Sequence, residues 1–186
     1  MLKFFFYFKT RFILLLCLTT IFFTGCKNEK LEKSIEELPQ QEELATTFNV
    51  TLDVIVKKDD NFQVYYNTGS GINEEESVWS AVKGSETPQK IMFKLPEGVI
   101  PTSIRIDLGV KDDQEDLTLN SIEMDYLGKK FLTQGTEIAK YFYPLAPTEL
   151  DFATGIVKAK VKDGKRMEPA FYSNEAFALE INKIIK

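Results

Sequence analysis

The chain has 186 residues, 44% of them apolar, with a formal charge of −5 and no histidine. That much apolar content excludes a disordered chain, and the length suits one domain with its own core plus a short appendage. An acidic chain with no basic cluster repels phosphate backbones, which argues against nucleic-acid binding.

The first 25 residues differ from the rest. Residues 1–11 are basic and aromatic, and residues 12–23 form an uncharged apolar run of twelve. A spanning helix needs about 20 apolar residues, so this run reads as a cleavable secretion signal instead. Its end, Phe23-Thr24-Gly25-Cys26, resembles the lipobox of bacterial lipoproteins. There an aliphatic residue and two small ones precede the cysteine that takes the lipid; Phe23 departs from the usual leucine. Cys17 is not a competitor, because Leu15 and Leu16 before it are bulky. The resemblance implies cleavage between Gly25 and Cys26, lipidation of Cys26, and a membrane partner in the bacterial cell envelope, with the outer membrane as the expected site. Several acyl chains on one residue hold stably where one binds only marginally.

Loss of Lys3, Lys9 and Arg11 with the leader takes the formal charge from −5 to −8. The chain's second cysteine, Cys17, leaves with the leader and Cys26 carries the lipid, so the mature chain has no intrachain disulfide. Residues 26–46 hold the lipidated cysteine and a charged, Gln-containing stretch that reads as a solvated tether. Leu31, Ile35 and Leu38 have helical spacing up to Pro39, so a short docking helix is the alternative.

From Phe48 the apolar period becomes two, and residues 47–186 read as one domain. Phe48, Val50, Leu52, Val54 and Val56 make a first strand; Asp59-Asp60-Asn61 is a turn cluster; Phe62, Val64 and Tyr66 make a second strand, hairpin-paired to the first. A loop over residues 68–76 precedes a strand through Val78, Ser80 and Val82, then one through Ile91, Phe93 and Leu95. Ile104, Ile106 and Leu108 form a fifth strand, with Arg105 and Asp107 on its opposite face. Beyond an acidic loop, Leu117, Leu119, Ile122, Met124 and Tyr126 change spacing, which predicts a bulge near Asn120. A short helix over 136–142 and a strand over 155–162 turning at Asp163-Gly164 follow. For the C-terminus, Phe177, Ile181 and Ile184 fit a helix, whereas Phe177, Leu179 and Ile181 fit a strand. The whole predicts a mainly β fold, an antiparallel β-sandwich of jelly-roll-like type with one or two short helices.

The run from Ile100 to Gly109, the acidic loop, and Leu117-x-Leu119-x-x-Ile122 resemble jelly-roll domains of the carbohydrate-binding-module type. Similar domains accompany cell-surface glycosyltransferases and occur in bacterial lipoproteins. The resemblance covers roughly residues 48–130, and it implies a sandwich in a glycan-related setting.

Catalysis fits the composition poorly, because the usual general base and the usual nucleophilic thiol are both missing. Glu74-Glu75-Glu76 and Asp112-Asp113 read as solvated turns rather than paired catalytic carboxylates. No cofactor is expected, with one exception: Asp112, Asp113, Glu115 and Asp116 supply hard oxygens for a Ca²⁺ ion, although no glycine marks an EF-hand turn. For glycan binding the candidates are Tyr65 and Trp79 as stacking rings and Arg105 and Asp107 as hydroxyl partners, with Gln63 and Asn67 on the same face as Tyr65. A non-catalytic, glycan-binding envelope lipoprotein is the first functional expectation. An accessory subunit docking onto another envelope protein is the second. Replacing the lipid-bearing residue, Cys26→Ala, should abolish incorporation of labelled palmitate in cells; persistent labelling would refute lipidation at this position.

Overall fold

A computed structural model describes residues 46–69, 76–158 and 160–186. The leader, Gly25, Cys26, the tether and most of the 68–76 loop lie outside the described residues. Two antiparallel sheets face each other across one apolar core. In the first, the order is β4 (Ser85–Lys94), β1 (Asn49–Val56), β6 (Leu117–Tyr126), β10 (Ile156–Lys158) and β9 (Glu149–Asp151). Strand β7 (Lys129–Gln134) also pairs with β6. In the second, the order is β3 (Ser77–Val82), β2 (Asp60–Asn67), β5 (Ser103–Asp107), β13 (Ala170–Ser173) and β8 (Phe142–Pro144). A small hairpin of β11 (Val161–Lys162) and β12 (Lys165–Arg166) stands apart. This is the expected antiparallel β-sandwich.

Alternation places the core. Val50, Leu52, Val54 and Val56 of β1, with Phe93 of the neighbouring β4, face Phe62 and Val64 of β2 and Ile104 and Ile106 of β5, all of them buried in one cluster. Six phenylalanines, at positions 48, 62, 93, 142, 171 and 177, are essentially without exposed surface. Burial of a large apolar side chain contributes about 1.5–3 kcal/mol each, and the described residues, which contain no cysteine, are held together by it.

The predicted hairpin of the first two strands does not form. Strand β1 pairs with β4 and β6, while β2 pairs with β3 and β5, so residues 57–59 cross from one sheet to the other. Each strand has one apolar face, and placing them in opposing sheets buries those faces against each other. Period-two alternation is the same for either arrangement. The turn cluster makes the crossing. Asp59 accepts a hydrogen bond from the Gly84 N–H at 2.8 Å and pairs with Lys83, tying the crossing to the β3–β4 corner.

Asp60 turns inward and is buried. Its Oδ1 accepts from the backbone N–H groups of Asn61 (2.8 Å), Val110 (2.9 Å) and Lys111 (3.2 Å). Its Oδ2 accepts from Gln114 Nε2 at 3.0 Å. Only glycine suits position 109 beside it: φ is +101°, and a Cβ there would lie 2.4 Å from Asp60 Oδ2.

The bulge is where the spacing placed it. Asp53 pairs with Ser121 and Val54 with Leu119, leaving Asn120 as the extra residue, and its Nδ2 donates to Asp53 Oδ1 at 2.8 Å. The extra residue lets Leu119 and Ile122 both point into the core. Asp163 and Gly164 have φ of 52° and 77°, the signs a two-residue type I′ hairpin turn requires, and they join β11 to β12.

The segment predicted as a helix over 136–142 is a 3₁₀ helix at Gly135–Lys140, ending before Phe142 enters β8 as a buried strand residue. Four strands absent from the sequence reading, β7, β8, β9 and β13, complete the sheets. At the C-terminus the helical reading holds. Asn174 caps α1 (Glu175–Ile184), its side chain accepting from the N–H groups of Ala176 and Phe177. Phe177, Ile181 and Ile184 are buried while Leu179 is 64% exposed, a pattern that a strand cannot produce. Among the described residues no helix is long and apolar enough to cross a membrane.

Packing of α1 is open to a direct test. Phe177→Ala should cost about 3–5 kcal/mol of unfolding free energy, and Leu179→Ala no more than about 0.5 kcal/mol, in urea titrations of the full chain.

Candidate functional site

The outer face of the second sheet collects the predicted binding residues, because β2, β3 and β5 are neighbours there. Residues paired across antiparallel strands share a face. One row therefore runs Tyr65 (β2), Arg105 (β5), Tyr172 (β13) and Tyr143 (β8). A parallel row runs Trp79 (β3), Gln63 (β2), Asp107 (β5) and Ala170 (β13). At the spacing of neighbouring strands each row spans about 14 Å, the reach of a short oligosaccharide.

All four predicted residues lie on this face, but two take different roles from those expected. Asp107 is about 1% exposed. Its Oδ1 accepts from Arg105 Nε and its Oδ2 from Arg105 Nη2, both at 2.8 Å. This bidentate pair fixes the guanidinium plane, so Asp107 acts through Arg105 rather than as a hydroxyl partner itself. The Arg105 guanidinium carbon also lies 5.1 Å from the centre of the Tyr65 ring. That cation–π contact occupies a face of Tyr65, which makes it a support for Arg105 rather than an open stacking ring.

The open rings are Trp79, 54% exposed, and Tyr143, 47% exposed. Tyr143 stacks on Tyr172 with ring centres 6.0 Å apart and planes inclined by 22°. Sequence reasoning missed both tyrosines. Tyr172 follows Phe171 in a four-residue strand and Tyr143 follows Phe142 in a three-residue strand, too short for alternation to be read. Gln63 is buried among these residues and donates to Ser77 Oγ at 2.7 Å.

Beside the rows lies a groove of about 480 Å³. Arg105 and Ala170 form its sheet side, residues 145–147 after β8 form one wall, and Lys165 and Arg166 of β12 with Met167 and Glu168 after it form the other. Arg166 Nη1 donates long bonds of 3.4 Å to the carbonyls of Gly109 and Lys111, docking the hairpin onto the loop that Asp60 organises. Burial lowers the Arg166 guanidinium from its ordinary value, opposed by the carboxylates of Asp60, Glu168, Asp116 and Asp112. It stays charged at physiological pH.

The predicted calcium loop is built otherwise. Among the described residues no three acidic side chains gather as a metal site. Gln114 points inward to Asp60, which turns Asp112, Asp113, Glu115 and Asp116 outward into solvent. Glu115 pairs with Lys57 at 3.2 Å and with Lys58 at 3.8 Å, and Asp113 pairs with Lys58 at 3.8 Å. These pairs make the loop a charged clasp across the β1–β2 crossing.

Comparison with known proteins finds no relative: no family model matches the chain, and no curated protein or solved structure matches it.

Stability separates the roles on this face. Trp79→Ala and Tyr143→Ala should each change unfolding free energy by no more than about 1 kcal/mol, because both rings are half exposed. Asp107→Ala should cost about 2–3 kcal/mol, since it strands a guanidinium whose side chain is only 25% exposed. Urea unfolding of the three variants checks the ranking.

Proposed function

We propose that this protein is a lipid-anchored envelope lipoprotein whose sandwich binds glycan without catalysing a reaction. The observation that carries the reading is the outer face of the second sheet. Two open aromatic rings, Trp79 and Tyr143, flank an arginine held rigidly by Asp107 and Tyr65. Aromatic faces suit the C–H faces of pyranose rings, and a preoriented guanidinium suits hydroxyl oxygens. Preorientation matters because a free arginine loses side-chain entropy when it orders on a ligand.

The non-catalytic part follows from what the chain offers for chemistry. It contains no histidine, and Cys26, the one cysteine beyond the leader, is assigned to the lipid. The carboxylate that shares a row with Trp79, Asp107, is committed to Arg105 through both oxygens. The anchor follows from the leader and from charge: a mature chain of −8 gains nothing from an anionic membrane surface and needs covalent lipid to stay there.

A glycan array probed with the purified chain tests the reading. Wild type should retain a defined set of oligosaccharides, and Trp79→Ala or Tyr143→Ala should weaken retention tenfold or more, a loss of about 1.4 kcal/mol. Binding unchanged in both variants would remove this face from the proposal.

A further inference from the structure

We propose that the groove beside the β11–β12 hairpin is a specificity subsite for an uncharged sugar residue of the bound glycan. This inference rests on the glycan-binding reading and names the class of ligand it requires.

The groove is balanced in charge. Its cationic heads are Arg105, Lys165 and Arg166, and its carboxylates are Asp112 and Glu168, with Asp107 directly behind Arg105. An acidic sugar would gain from one set and be repelled by the other, and the net acidic domain around it adds to the repulsion. An amino sugar meets the reverse problem. A hydroxyl group donates one hydrogen bond and accepts two, so a neutral polyol can accept from a guanidinium and donate to a carboxylate at once. The remaining lining, Leu145, Pro147 and Met167 among it, is apolar and suits the C–H face of the same ring.

The geometry joins this subsite to the aromatic rows. Arg105 belongs to both the groove and the tyrosine row, and Ala170 belongs to both the groove and the tryptophan row. A glycan lying on the rings therefore meets the groove at one end. The hairpin wall is held by Arg166, whose carbonyl acceptors Gly109 and Lys111 sit in the loop ordered by Asp60. The subsite is in this way preformed by the fold.

Calorimetric titration of the full chain in detergent with three probe classes tests the inference. The probes are neutral hexose and N-acetylhexosamine oligosaccharides, oligogalacturonate, and chitosan oligomers. Neutral probes should bind at least tenfold more tightly than either charged class, with little change between low and high salt. Asp112→Asn and Arg166→Gln should each weaken the neutral complex about tenfold. Asp112 is exposed on its loop, so that variant keeps the test valid even if Arg166→Gln impairs folding. Tighter binding of either charged probe would overturn the subsite while leaving glycan binding in place. Neutral binding that responds to Trp79→Ala but to neither groove variant would also overturn it. No binding by any probe would overturn the underlying reading as well.

Discussion

A single buried carboxylate, Asp60, ties this sandwich together where the chain passes between its sheets. Three backbone N–H groups and the Gln114 amide converge on it. A buried ionised group without partners costs several kcal/mol, whereas one with four charge-assisted bonds is stable and strongly directional. Its neighbour Asp59 reaches the opposite way, to Gly84. Two adjacent aspartates thus fasten the β1–β2 crossing to the β3–β4 corner and to the loop after β5. The chain needs such polar fasteners because the core, although extensive, is not directional and does not by itself fix how loops close over its ends.

The same logic is repeated on the outer face. Asp107 is buried by what lies over it, and its two bonds to Arg105 turn a flexible side chain into a fixed one. A sheet supplies regular spacing, and the paired strands place rings and charged groups at successive positions across it. Rigid spacing of this kind lowers the ordering cost of binding an extended ligand, which is weakly attracted at each single contact. The hairpin of β11 and β12 then adds a wall at one end, docked through Arg166 onto the loop that Asp60 holds. Fold and candidate site are connected through that one loop.

Charge has a consistent role throughout. The acidic residues after β5 face solvent, Asp113 and Glu115 pairing with Lys57 and Lys58, while the groove sets Arg105, Lys165 and Arg166 against Asp112 and Glu168, with Asp107 behind Arg105. Exposed pairs of this kind contribute little stability, on the order of 0–1 kcal/mol. Their effect is on solubility and on the field at the surface rather than on the fold.

Much was legible in the sequence because it depended on local pattern. Alternation located β1 through β6, the two-to-three change in spacing located the bulge at Asn120, and Asp163-Gly164 located a type I′ turn. Each is a property of a few consecutive residues. The alternation also put Arg105 and Asp107 on one face, together with Tyr65 and Trp79 once their strands adjoin. Tertiary structure decided the rest. Whether β1 and β2 form a hairpin or face each other depends on which pairing buries both apolar faces, and alternation is blind to that choice. The helix at Glu175–Ile184 was settled by the seat waiting for Phe177, Ile181 and Ile184. Tyr143 and Tyr172 came to share a face with Arg105 only when two very short strands joined the edge of the second sheet. The acidic loop became a clasp because Gln114 reached Asp60, a contact spanning 54 positions that no local pattern encodes.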